Sequence, residues 1–174
     1  MMKQLTIVRH SKASDYQSGQ SDHDRPLAEK GIAKAEYISA YLKVRNEQPD
    51  LMVSSTALRA FSTAEIFALN LDYPQGHIIP EGQLYGFGGY AAAIEIIRQF
   101  PRAVNHAMIF GHNPTFTALA WHLCSRFRNE LPTCATVGLE LPIDEWGEIQ
   151  AGEGQLRFFY TRRIVAELRE RGAE

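Results

Sequence analysis

Three clusters in the chain offer arginine or histidine side chains suited to chemistry: Arg9-His10, Arg59, and Gly111-His112-Asn113-Pro114. A guanidinium is a planar fork of donors that meets tetrahedral oxyanions bidentately. An imidazole near neutral pH serves as nucleophile, base or hydrogen-bond donor. Two arginines and two histidines gathered in one place would make a compact positive pocket, the chemistry a phosphoryl group requires. Taken singly the residues are weak signals. Arg9-His10 reads as a surface dipeptide, His112 as a loop histidine and Arg59 as a solvated helical charge. Their joint placement carries the inference.

That placement follows from the elements around them. Strand-like runs occur at Leu5-Val8, Leu51-Val53, His77-Ile79, Ala107-Phe110, Gly138-Leu141 and Leu156-Tyr160. Helix-like stretches lie between. The first carries Leu27, Gly31, Ala35, Ile38 and Leu42 at spacings of three and four, with Pro26 near its start. The second spans about Thr56 to Leu69, with Ser54 or Ser55 as its cap. The third covers roughly Tyr90 to Phe100, and Pro101 closes it. The fourth opens at Asn113-Pro114 as N-cap and N1 and reaches about Phe127.

Alternating strands and helices predict an α/β fold, a three-layer α/β/α sandwich around a mainly parallel sheet. Pro142 to Gly154 reads as a turn, so an antiparallel edge strand is expected. The Arg/His clusters then fall at the carboxyl ends of strands, where open parallel sheets bind ligands. The free N–H groups at the helix start near Asn113 add a further preference for anions.

Composition is consistent with this. A chain of 174 residues suits one domain spanning residues 1–174, and 45% hydrophobic residues suffice for a core. The net charge of -2 gives no general pull toward nucleic acid or anionic membrane, so neither is expected as a partner. No apolar run is long enough to span a bilayer, and the N-terminus enters a strand pattern without a signal-peptide h-region. Cys124 and Cys134 make neither a disulfide framework nor a zinc site, and Cys124 reads as core. Cytoplasmic location is the expectation, with no metal and no cofactor. His23, His77, His106 and His122 read as ordinary loop or helix histidines.

Arg9-His10-Ser11, the stretch Ser54-Ser55-Thr56-Ala57-Leu58-Arg59-Ala60 with Thr63-Ala64, and Gly111-His112-Asn113-Pro114 together resemble the histidine phosphatase superfamily. The resemblance is nearest to the small SixA-like phosphohistidine phosphatases. Asp24-Arg25-Pro26-Leu27 with Glu29-Lys30-Gly31, Leu84-Tyr85, Trp146, Gly152, Gly154 and Tyr160 extend it along the chain. Three positions depart from the family pattern. Ser11 stands where a glycine is usual, Ala28 where a capping Ser or Thr is frequent, and no asparagine lies near Tyr16 as in the larger mutase-like members.

The resemblance implies that His10 is the nucleophile, forming a transient phosphohistidine. Its neutral form must attack, and neighbouring arginines favour that form. Its other ring nitrogen would donate to a backbone carbonyl. Arg9, Arg59 and His112 would bind the three equatorial oxygens, where transition-state charge is spread. Ser11, Lys12 and the Asn113 backbone are further candidates for phosphate contact. Glu81 lies roughly where larger members keep an acid, so it is either the leaving group's proton donor or a solvated loop carboxylate. The implied partner is a phosphorylated protein, such as a phosphotransfer domain, or a small phosphate-containing substrate. The interval between Arg59 and His112 leaves no room for the helical insertion with which metabolite-specific members cover the site, which favours the protein. A broad phosphomonoesterase is the first alternative and a non-catalytic phosphate-binding module the second.

Overall fold

The structure is a computed structural model that describes residues 2–86 and 88–172. Among these, six strands form one sheet: β1 (Lys3–Arg9), β2 (Leu51–Ser55), β3 (Ile79–Glu81), β4 (His106–Gly111), β5 (Thr136–Leu141) and β6 (Gln155–Tyr160). Their order is β3-β2-β4-β1-β5-β6. The four on the β3 side pair in parallel, whereas β5 pairs antiparallel with both β1 and β6. The sheet is mainly parallel, as expected. The one reversed strand is β5, with β6 outside it at the edge.

Among the described residues, five helices accompany the sheet: α1 (Glu29–Val44), α2 (Leu58–Asn70), α3 (Gly89–Arg98), α4 (Thr115–Leu123) and α5 (Arg162–Glu170). Alternate strand residues face opposite layers. Leu5, Ile7, Val53 and Ile109 pack with Ile97 of α3 and with Phe116 and Leu119 of α4. Val8, Met52, Met108 and Phe110 pack with Ile38 of α1, Phe67 of α2 and Val165 of α5. Strands buried on both faces explain why their sequences read as continuous apolar runs. Among the described residues, no helix is long and apolar enough to cross a membrane.

The structure corrects several local expectations. The third strand lies later than His77-Ile79, and His77 sits in a single 3-10 turn before it. Neither Ser54 nor Ser55 caps α2. The cap is Ala57, with no side-chain bond, and the Leu58 N–H is satisfied by the His23 carbonyl at 2.9 Å. Helix α4 begins at Thr115 after a Pro114 cap rather than at Asn113, and it ends at Leu123. The Asn113-Pro114 peptide is cis. Helix α5 has no counterpart in the sequence reading. Thr161 caps it by accepting from the Ile164 N–H, and its apolar face rests on Val165.

Candidate active site

Parallel register sets the geometry. Arg9 pairs with Gly111 across β1 and β4, and the His10 N–H donates to the Gly111 carbonyl at 2.9 Å. His10 and His112 therefore leave adjacent strand ends side by side, with ring centroids 5.0 Å apart. The next strand, β2, brings Ser55 to the same end, and its hydroxyl lies 2.8 Å from His112 Nε2. Arg59 projects from the first turn of α2 and is only 8% exposed.

His10 Nδ1 lies 2.6 Å from the Ser11 carbonyl oxygen. A carbonyl can only accept, so Nδ1 carries the proton and Nε2 is left with its lone pair. Burial, followed by the charges of Arg59, Arg9 and Arg25, outweighs that hydrogen bond and pulls the His10 pKa down to about 4. Burial, His10 and Arg59 pull His112 down to about 3. Both rings are neutral at neutral pH. His112 Nδ1 and Arg9 Nε are buried and have no hydrogen-bond partner among the described residues. Arg9 Nη1 donates to the Leu131 carbonyl at 2.8 Å.

The other candidates divide. Ser11 is fully buried, and its hydroxyl donates to the Gly31 carbonyl at 2.6 Å, away from the pocket. Its N–H donates to Thr63 Oγ1, whose hydroxyl donates in turn to the Arg59 carbonyl. Ser11 is absent from the positive-φ residues, so its replacement of glycine carries no backbone strain. Lys12 is exposed at the rim, with its carbonyl accepting from Ala28 N–H. Asn113 uses its side chain structurally. Nδ2 donates to the Leu131 carbonyl, and Oδ1 accepts from the Thr117 N–H and hydroxyl. Glu81 ends β3, beside Ser55, and its carboxylate accepts from the Gln83 N–H at 2.9 Å. No described contact joins Glu81 to His10, His112 or Arg59.

Besides Ser55, three neighbours, Asp22, Arg25 and Tyr85, escaped the sequence reading of the site. Asp22 Oδ2 accepts from Arg59 Nη2 at 3.0 Å and from the Tyr85 hydroxyl at 3.1 Å, while Oδ1 accepts from Arg25 Nη1 at 3.0 Å. The Asp22 backbone carbonyl takes Arg59 Nη1 at 2.6 Å. Burial pushes the Asp22 carboxyl up, but the Arg25, Tyr85 and Arg59 contacts outweigh it and hold the pKa at about 2. The Tyr85 ring stands 5.5 Å from His112, edge-on. Arg25-Pro26 and Tyr85 carried the family resemblance, but nothing in their spacing placed them against Arg59. No group of three His, Cys, Asp or Glu among the described residues is arranged to hold a metal ion.

A family model described as histidine phosphatase superfamily (branch 1) matches residues 5–106. An uncharacterised protein of Mycobacterium tuberculosis is 30% identical over 166 residues, spanning 90% of this chain and 100% of that protein. The structure of a provisionally assigned phosphohistidine phosphatase SixA from Agrobacterium tumefaciens superimposes with a TM-score of 0.79 at 25% identity, covering 91% of this chain and 97% of that one. A protein histidine phosphatase SixA complexed with tungstate shares the fold with a TM-score of 0.79 at 21% identity, covering 95% and 99%.

Proposed function

The chain belongs to the histidine phosphatase superfamily, and on that premise we propose that it is a metal-independent phosphatase acting on phosphohistidine in proteins, with His10 as nucleophile. The observation that carries the reading is the His10 tautomer. With Nδ1 bound to the Ser11 carbonyl, Nε2 forms the bond to phosphorus as the phosphorus–nitrogen bond to the substrate imidazole breaks. Water then attacks the phosphoenzyme, releasing orthophosphate and restoring neutral His10.

Arg9, Arg59 and His112 stabilise the charge spread over the equatorial oxygens. A phosphate oxygen would satisfy Arg9 Nε and His112 Nδ1, the two buried polar atoms beside His10 that lack partners among the described residues. The Asn113 N–H, ahead of α4, supplies a further donor. The arginines and His112 supply the charge stabilisation that a metal ion would otherwise provide.

Two observations support a protein substrate. The interval from Arg59 to His112 holds α2, α3, two strands and two single 3-10 turns, and no further helix among its described residues. A pocket without that cover offers a small metabolite few contacts beyond its phosphate, yet admits a side chain carried on a folded surface. The likeness to the provisionally assigned Agrobacterium phosphohistidine phosphatase points the same way. Cys124 and Cys134 are buried free thiols, which suits the expected cytoplasmic location.

The test has two parts. Quenching the enzyme in base after incubation with labelled substrate should trap an acid-labile, base-stable phosphoenzyme, and His10→Ala should lose both label and turnover. Comparing kcat/KM on a phosphohistidine protein with a panel of phosphorylated metabolites then decides the substrate. A metabolite ahead by tenfold overturns the substrate assignment, and full turnover by His10→Ala overturns the mechanism.

A further inference from the structure

Cations are unevenly distributed over the surface beside the pocket. A groove of about 480 Å³ is lined by Lys12, Lys30, Ala33, Lys34 and Arg162. It continues into a hollow of about 380 Å³ through Lys34 and Arg162, which line both. The hollow adds Arg163 and one carboxylate, Glu130. Arg163 is already matched by Glu167 at 2.8 Å. Among the described residues, Lys12, Lys30, Lys34 and Arg162 are in no ion pair. Four unpaired cations against one carboxylate are a local concentration in a chain whose net charge is -2.

The groove shares a wall with the catalytic pocket. Lys12 follows His10 by two positions. Leu131 accepts from Arg9, Thr133 accepts from Lys34 at 3.0 Å, and the Cys134 N–H donates to the carbonyls of both Arg9 and His10. A protein seated with its phosphohistidine over His10 would therefore lay adjoining surface along these cations. Aromatic character is sparse here. Among the described residues, Phe159 is the one aromatic lining residue, and it is half-buried against the core, so the described lining offers no stacking platform of the kind single-strand nucleic-acid binders use.

Building on the phosphatase reading above, we propose that the Lys12–Lys30–Lys34–Arg162 groove docks an acidic face of the phosphohistidine-bearing protein. Complementary charge steers encounter and raises the association rate, an effect that salt screens. The groove thus contributes to kcat/KM on proteins and leaves small aryl phosphates unaffected.

The experiment uses Lys30→Glu together with Arg162→Glu, two exposed positions outside the catalytic cluster. The substrate is a phosphotransfer domain phosphorylated on histidine, in an acidic form and in a form with the carboxylates around the phosphohistidine changed to amides. At low ionic strength, kcat/KM on the acidic form should fall about tenfold or more through KM. The amidated form and a chromogenic aryl phosphate should change less than twofold. The milder pair Lys30→Gln with Arg162→Gln should move the same way, which guards against misfolding of the reversed variant. Equal kcat/KM for wild type and variant on the acidic form overturns the docking surface while the phosphohistidine reading stands. Wild-type turnover of aryl phosphate without any turnover of either protein form overturns both. Loss of duplex-DNA binding in the variant without an effect on the protein substrate also overturns the proposal, in favour of nucleic acid.

Discussion

Acidifying the free protein from pH 8 to 3.5 probes the site directly, because the two histidines at its centre are held neutral by their surroundings. An ordinary histidine with pKa 6.5 would be about three-quarters protonated at pH 6. With His10 drawn down to about 4, protonation at that pH is about one per cent. The rings face each other at 5.0 Å, so each proton repels the next and the titration steps belong to the pair. The sign for stability follows. The unfolded chain takes up the His10 proton near pH 6.5 and the folded chain only near 4, so acid favours unfolding across that window. The stabilisation is complete above 6.5 and is lost as pH falls toward 4, and for His10 it amounts to about 3 kcal/mol. A phosphate substrate ionises near pH 6 itself, which blurs the rate profile. Imidazole NMR of the free protein isolates the effect, with His10→Asn and His112→Asn assigning the signals. A His10 midpoint at or above pH 6 would refute the depression of its pKa by burial and arginine charge.

Arg59→Ala should lower kcat/KM by roughly 10²-fold, the usual cost of one preorganised oxyanion donor. Arg59→Lys should recover only part, because a point charge cannot reproduce the fork; steady-state kinetics on an aryl phosphate check both. Activity should persist in EDTA, and a loss restored by a divalent ion would return the reading to a metal-dependent enzyme. Glu81→Gln should impair alkyl phosphate esters more than phosphohistidine, since the latter's labile bond needs less help from an acid; equal losses on both would count against a proton-donor role. Gly31→Ala would place a Cβ on the Lys12 carbonyl, so thermal unfolding should register a destabilisation of about 1–3 kcal/mol.

The parts of the site that could be read in advance are those fixed by local pattern. His10, Arg59 and His112 each follow a strand ending that the apolar runs mark, and parallel register then brings them together. What escaped depends on contacts between distant segments. Asp22 reaches Arg59 across 37 positions and Tyr85 across 63, and a loop carboxylate carries no periodic signal of its destination. Ser55 looked like a helix cap from its neighbours, yet its hydroxyl serves His112, 57 positions away. Helix α5 was invisible because RRIVAELRE is dominated by charge. Its apolar contribution is a narrow stripe of Ile164, Val165 and Leu168 laid on the core.

Asp22 also changes what it means for a phosphate to enter. Arg59 and Arg25 rest against its carboxylate, so the guanidiniums are never bare and their mutual repulsion is partly cancelled before any ligand arrives. Entry becomes an exchange of anions in which the resident holds one negative charge. Under the phosphatase reading, a phosphoryl group with more charge and three oxygens meets these guanidiniums in competition with that resident.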